Sequence, residues 1–220
     1  MTTSRARRLP AARRRRQLLD VALEAFAAAG YHATSMDGIA EAAGVTKPVL
    51  YQHFGSKAEL YRELIVAVGG DLLAAIAAAA TAEEEPYRRV LAGFQAYFRF
   101  VGDQPAAFTL LFDGGARRTE EFAEAVRAAE ARIAGTIATL IEVDIDPAHR
   151  ELLAFGIVGL AETTSRLWLE HRASVPMTPA IGDPAGPGDC GGQEGELMAG
   201  RLADLVWAGL RALPPARPRR

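Results

Sequence analysis

The sequence predicts an all-α chain of about nine helices, in which a small three-helix unit precedes a larger helical bundle. Three observations carry this. Apolar residues recur at three- and four-residue intervals along most of the chain, with no alternating strand pattern of any length. Between Thr34 and Leu60 two short apolar periods flank a single glycine, each preceded by a hydroxyl residue suited to capping a helix. Charge also divides the chain: residues 1–60 hold nine Lys/Arg against five Asp/Glu, a net +4, while the whole chain is −2 and the remainder therefore −6.

The elements follow in order. Residues 1–12 are polar and basic and read as a disordered arm. A first helix is expected from about Ala11 to Ala29, with Leu19, Ala22, Leu23 and Phe26 as its apolar stripe and Gly30 as its end. Ser35 caps the next, where Met36, Ile39, Ala40 and Ala43 share a face. Gly44 supplies a turn that needs positive φ, with Val45 plugging it from below. Thr46 caps the following helix and Pro48 lies in its first turn, where a missing N–H costs nothing. Val49 and Leu50 face the core, leaving the polar atoms of Tyr51, Gln52 and His53 outside. Ser56 with Glu59 forms a capping box for a helix that runs to about Gly69, with Gly69–Gly70 as its weak point and Ala80 as its furthest extent. Further helices are expected at about Pro86–Val101, Pro105–Phe112, Thr119–Glu142, Pro147–Arg172 (opened by the cap-and-proline pair Asp146-Pro147) and Gly195–Leu213. Asp113-Gly114-Gly115, the Pro/Gly-rich residues 175–193 and the tail after Leu213 read as loops or disorder.

Two short helices around a glycine turn, with polar residues outward on the second, make a helix-turn-helix, an element that sets its second helix in the major groove of DNA. The basic end of the chain fits phosphate binding. Lys47 and Lys57 are the only lysines in a chain with 23 arginines, and both fall in this segment. Thr34, Ser35, Thr46, Lys47, Pro48, Tyr51, Gln52, His53 and Lys57 form the expected DNA-binding set. Thr34, Thr46, Tyr51, His53 and Lys57 suit phosphates, and Lys47, Pro48 and Gln52 suit base edges. Lys57 in the first turn of a helix opposes the macrodipole, a conflict that a bound phosphate would relieve. Arg13–Arg16 face the same conflict and are expected to reach flanking phosphates or a minor groove.

The stretch G-Y-H-A-T-S-M-D-G-I-A-E-A-A-G-V-T-K-P-V-L-Y-Q-H-F-G-S-K-A-E-L, residues 30–60, resembles the DNA-binding part of the tetracycline-repressor-like (TetR/AcrR) family of bacterial regulators, above all in A-G-V-T-K-P-x-L-Y-x-H-F-x-S-K. The resemblance covers the first quarter to third of the chain. It implies a DNA-binding unit over residues 1–58, an effector-binding and dimerisation unit over 59–213, and a disordered tail over 214–220. It further implies a homodimer on a palindromic double-stranded operator, joined through the last two helices, with a repressor released by a small hydrophobic effector as the usual mode. A regulator without a ligand, or an activator, is the alternative; an all-α enzyme is a distant third.

In such a family the aromatics of the second region line an effector pocket. Phe94, Tyr97, Phe98, Phe108, Phe112 and Trp168 are the candidates here, with Phe100, Phe122 and Phe155 behind them, although aromatics at helical spacing are more often plain core. Gln95, Arg99, Thr109, Thr163, Thr164 and Arg166 could supply polar groups. The dimer face would draw on the apolar residues of the last two helices, Leu152, Leu153, Phe155, Ile157, Val158, Leu160 and Leu167 with Leu197, Leu202, Leu205, Val206 and Leu210, and Gly156 and Gly159 would allow close approach; periodicity alone does not separate such a face from a monomer core.

Composition removes other classes. A single cysteine, Cys190, excludes an internal disulfide and fits a reducing cytoplasm. The Arg-rich start lacks the apolar stretch of a secretory signal, and the longest apolar run, Leu72–Ala80, is too short to span a bilayer. Gly186, Gly188 and Gly191 spell G-x-G-x-x-G, but in a Pro-rich loop with no strand before it, so the dinucleotide reading fails. No catalytic or metal-ligating cluster emerges, and no cofactor or metal is expected.

Overall fold

The computed structural model describes residues 10–112, 120–174 and 190–213. Every regular element among them is a helix: α1 (Ala11–Ala33), α2 (Met36–Ala42), α3 (Lys47–His53), α4 (Lys57–Thr81), α5 (Pro86–Asp103), α6 (Pro105–Phe112), α7 (Glu120–Leu140), α8 (Pro147–Ser174) and α9 (Cys190–Arg211). The expected arm before Pro10, the Asp113-Gly114-Gly115 loop, most of the Pro/Gly-rich segment and the tail lie outside the described residues.

Local chemistry sets the helix ends. The Ser35 Oγ accepts the Gly38 N–H at 3.0 Å and the Ser56 Oγ the Glu59 N–H at 3.1 Å. The Glu59 carboxylate returns to the Gly55 N–H at 3.0 Å, one residue earlier than a standard capping box. Asp146 caps α8 by accepting the His149 N–H at 3.0 Å. Gly44 has φ 65° and makes the turn between α2 and α3.

Three boundaries depart from the sequence expectation. Gly30 breaks the helical run at φ 77° but does not end the helix: a further turn follows, so α1 continues to Ala33 across a kink. Thr46 sits at the start of α3 without a side-chain cap, and its hydroxyl faces solvent. α9 begins at Cys190, five residues before the expected Gly195. Its first turns are held by tertiary contacts that the sequence does not show: Trp168 Nε1 donates to Glu194 at 3.2 Å, and Gly195 lies against Trp168 and Phe98.

α4 runs unbroken through Gly69–Gly70 and forms the axis of the molecule, touching α1, α5, α6 and α7. Gly69 is needed there: a Cβ would stand 3.1 Å from the Ala129 Cβ on α7, so a bare backbone lets the two helices meet. By length and composition α4 and α8 could each cross a bilayer, because their apolar character is spread along the helix rather than gathered in a run. α4 instead buries Leu60, Leu64, Ile65, Leu72 and Ile76 in the core.

One hydrophobic core runs from α1 to α9. Its joint is an aromatic cluster in which the Phe122 ring lies 4.6 Å from both Tyr31 and Tyr61, with Phe26 4.8 Å from Tyr61. The helix-turn-helix is thereby packed onto the bundle.

Candidate DNA-reading surface and apolar cavity

α3 buries Leu50 completely and half-buries Val49, which leaves Lys47, Pro48, Tyr51 and Gln52 on the opposite, exposed side. Tyr51 is 42 % exposed and offers both its ring and its hydroxyl to this side. The Lys47 ammonium pairs with Asp37 of α2 at 2.8 Å and lies 6.0 Å from the Tyr51 ring. Asp37 holds the Lys47 pKa above its ordinary value, so the charge persists at any physiological pH. Ser35 caps α2 as an acceptor, which leaves its own hydroxyl proton free to donate. Thr46 is exposed and His53 half-buried. Ser35, Thr46, Lys47, Pro48, Tyr51 and Gln52 thus share the solvent side of the helix-turn-helix.

Thr34 and Lys57 are placed otherwise. Thr34 is buried, and its hydroxyl donates inward to the carbonyls of Gly30 at 2.8 Å and Ala25 at 3.1 Å. Lys57 Nζ donates to the carbonyls of Tyr31 and Thr34, both at 2.8 Å, and lies 4.4 Å from the Tyr31 ring. The positive charge at the start of α4 is matched to the carbonyl end of α1, which answers the macrodipole conflict without a phosphate. The arginine cluster divides likewise. Arg15 bonds to Glu63 and to the His53 carbonyl and stacks over Phe54 at 4.5 Å. Arg16 pairs with Asp20 at 3.0 Å and with Asp71 at 2.8 Å. Arg13 is exposed, and the half-buried Arg14 donates to the Gln17 side chain at 2.7 Å.

In the bundle, α4, α5, α7, α8 and α9, with Phe112 at the end of α6, line a partly open apolar cavity of about 90 Å³. Of the expected pocket aromatics, Phe94, Tyr97 and Phe112 line it; Phe98, Phe108 and Trp168 do not. Phe98 and Trp168 pack edge-on at 5.7 Å as core, and the Phe108 ring lies tilted at 42° to that of Phe112 on α6, 5.3 Å away. Phe122 belongs to the aromatic joint, and Phe155 is 42 % exposed on α8. Most of the wall is aliphatic, including Leu72, Ile76, Ile133, Ile137 and Ile157, residues with no feature in the sequence that separates them from core. None of the expected polar residues lines the cavity. Its two polar members are Tyr97 and Arg89. Burial pushes the Tyr97 phenol well above its ordinary value, and its hydroxyl, like that of Ser165, lies buried without a settled hydrogen bond.

With this geometry in place, comparison with known proteins decides the family. Residues 18–64 match the bacterial regulatory proteins of the tetR family, and residues 86–182 match a tetracyclin repressor-like C-terminal domain. The chain is 34 % identical over 215 residues to the HTH-type transcriptional activator FasR of Mycolicibacterium smegmatis, covering 97 % of this chain and 90 % of that one. The chain belongs to the tetR family. A TetR-like regulator from Rhodococcus sp. RHA1 has the same fold, with a TM-score of 0.68 and 27 % identity over 94 % of this chain and all of that one. FadR of Bacillus subtilis, solved with stearoyl-CoA, shares the fold at a TM-score of 0.70 but only 14 % identity, over 88 % of this chain and 98 % of that one. This tetR-family chain is a DNA-binding transcription regulator, from a family of regulators rather than enzymes.

Proposed function

We propose that this regulator reads a palindromic operator as a homodimer and is released from it by a small hydrophobic effector. The observation that carries the DNA half is the exposed side of α3. Lys47, Pro48, Tyr51 and Gln52 stand outward on a helix short enough to enter a major groove, with Ser35 and Thr46 flanking as phosphate donors. Residues 1–58 form the reading unit and 59–213 the effector and dimer unit. Dimerisation uses the outer face of α8 and α9, where Leu152 is 69 %, Leu197 54 % and Leu205 60 % exposed beside Gly156 and Gly159. Water contact at so many large apolar side chains is what a second copy would remove. With DNA as its partner, the chain acts in the cytoplasm.

The effector half rests on the cavity. The walls of this cavity are almost wholly apolar, so an apolar group that enters it leaves water, which favours its binding. A hydrocarbon chain suits these walls, as the fatty acyl ligand held by FadR illustrates. Phe112, a wall residue, ends α6, and α6 lies against α1. Filling the cavity therefore acts on a helix that touches the reading unit. Repression is the family's common mode; the whole-length relative FasR is named an activator, so release from the operator could lower transcription here.

The test is a salt-dependent titration against DNA flanking the gene, with wild type, Lys47→Ala and Tyr51→Ala. Tight binding lost roughly 10-fold or more in each variant, as expected for groove and phosphate contacts, supports the reading. Equal, non-specific binding by all three contradicts it.

A further inference from the structure

The cavity does not end at its apolar walls. Between the start of α5, the end of α7 and the end of α9 it meets a second recess, of about 350 Å³, that shares Arg89, Val90, Leu140, Ile141 and Leu210 with it. The recess is polar where the cavity is not. Glu142, Asp144 and Arg211 stand on its rim and are exposed, with Trp207 beside them. The charged rim of the recess thus adjoins the hydrocarbon interior of the cavity across shared walls.

Arg89 is the one charged residue common to both. Its side chain is only 25 % exposed, and three groups hold it: Nε donates to the Glu83 carbonyl at 2.9 Å, Nη2 approaches the Glu84 carbonyl at 3.4 Å, and Nη1 bonds the Glu142 carboxylate. The two carbonyls belong to its own connection before α5 and fix it in place. Glu142 is different. It lies in the short α7–α8 connection and is 59 % exposed, so water can replace Arg89 as its partner at little cost. The Arg89 side chain is three-quarters buried and permanently charged, so it exchanges an anion for water less readily than Glu142 does.

We propose that Arg89 anchors the anionic head of a single-chain amphiphile whose tail fills the cavity, and that Glu142 is an internal competitor which the head displaces. This rests on the effector reading above and adds the head-group chemistry to it. The carboxylates of Glu142 and Asp144 oppose an incoming anion and Arg211 favours it, so the mouth demands that the anion reach Arg89 itself rather than rest on the rim. Arg89 is a positioning group for the ligand and lies on no surface used by DNA.

Calorimetric binding of hexanoate, hexanoyl-CoA and hexanol to the full chain tests this, with tails short enough for a cavity of about 90 Å³. The two anionic probes distinguish a free carboxylate from a phosphate-bearing thioester as the source of the charge. At least one of them is expected to bind 10-fold or more tightly than hexanol. Glu142→Gln should tighten the anion about 3-fold or more and leave hexanol unchanged. Arg89→Gln should erase the difference between anion and alcohol. Hexanol binding as tightly as both anions, or Arg89→Gln weakening all three alike, would overturn the head-group assignment while leaving the cavity reading intact. Failure of all three probes to bind would overturn the cavity reading and this assignment with it. Should Arg89→Gln not fold, Glu142→Gln decides: unchanged anion affinity refutes the competition.

Discussion

Tyr97 shows how little a single residue's sequence context reveals of its role. Spacing marks it as an inward aromatic, and it is one; only the packing shows a phenol with its hydroxyl buried beside Ser165 and no settled partner. Burial raises its pKa, Glu162 adds to the rise, and Ser165 opposes it. Below about pH 10 the phenol is neutral in both folded and unfolded chains and contributes no pH dependence. As pH rises past that value the unfolded chain releases the proton first, so stability falls with pH between the unfolded and the higher folded pKa. Tyr97→Phe is expected to raise stability at pH 7 by about 1 kcal/mol, by removing an unsatisfied hydroxyl, and to flatten the loss above pH 10. Urea midpoints at both pH values check it; a lower midpoint at pH 7 would show that the hydroxyl is satisfied. Residue identities that do local work were readable: Ser35 and Ser56 as caps, Gly44 at positive φ. Arg89 was not, because an arginine near a helix start has the same signature whether it faces solvent or a cavity.

At the scale of elements the helix order and most boundaries followed from periodicity and capping chemistry, because those are local. Two of the departures have tertiary causes. α9 starts early because Trp168 and Phe98 hold its first turns, and Gly69 is a packing contact rather than a break because α7 approaches there. Lys57 is the clearest case. Its sequence position suggested a phosphate partner, while its Nζ bonds the carbonyl end of α1. Lys57→Met is expected to destabilise the chain by about 1.5–3 kcal/mol, the scale of hydrogen bonds to a charged group. The slope of DNA affinity against salt should stay unchanged. A slope reduced by about 0.9, one released counterion, with an unaltered melting temperature, would return Lys57 to the phosphate backbone.

For the whole molecule, the basic first quarter and acidic remainder place the phosphate-binding end opposite a bundle that repels DNA. The outer face of α8 and α9 was legible as apolar, yet periodicity alone cannot separate a subunit interface from a core; exposure does. Leu205→Glu should convert a dimer to a monomer in sedimentation velocity and weaken operator binding far more than non-specific binding, since paired half-sites need paired helices. A dimer that survives would place the interface elsewhere. The cavity was expected from a family resemblance and not from any residue pattern, because its aliphatic walls look like core in sequence.

The claim that joins these scales is a coupling between α3 and the cavity, which by linkage must be reciprocal. The direct measurement is operator affinity across a titration of hexanoyl-CoA, paired with ligand affinity across a titration of operator DNA. The account expects each to weaken the other by the same factor, about 5- to 150-fold for a coupling of 1–3 kcal/mol. Ligand that binds tightly while operator affinity stays constant would contradict it, leaving a DNA-reading unit and a filled cavity that do not communicate.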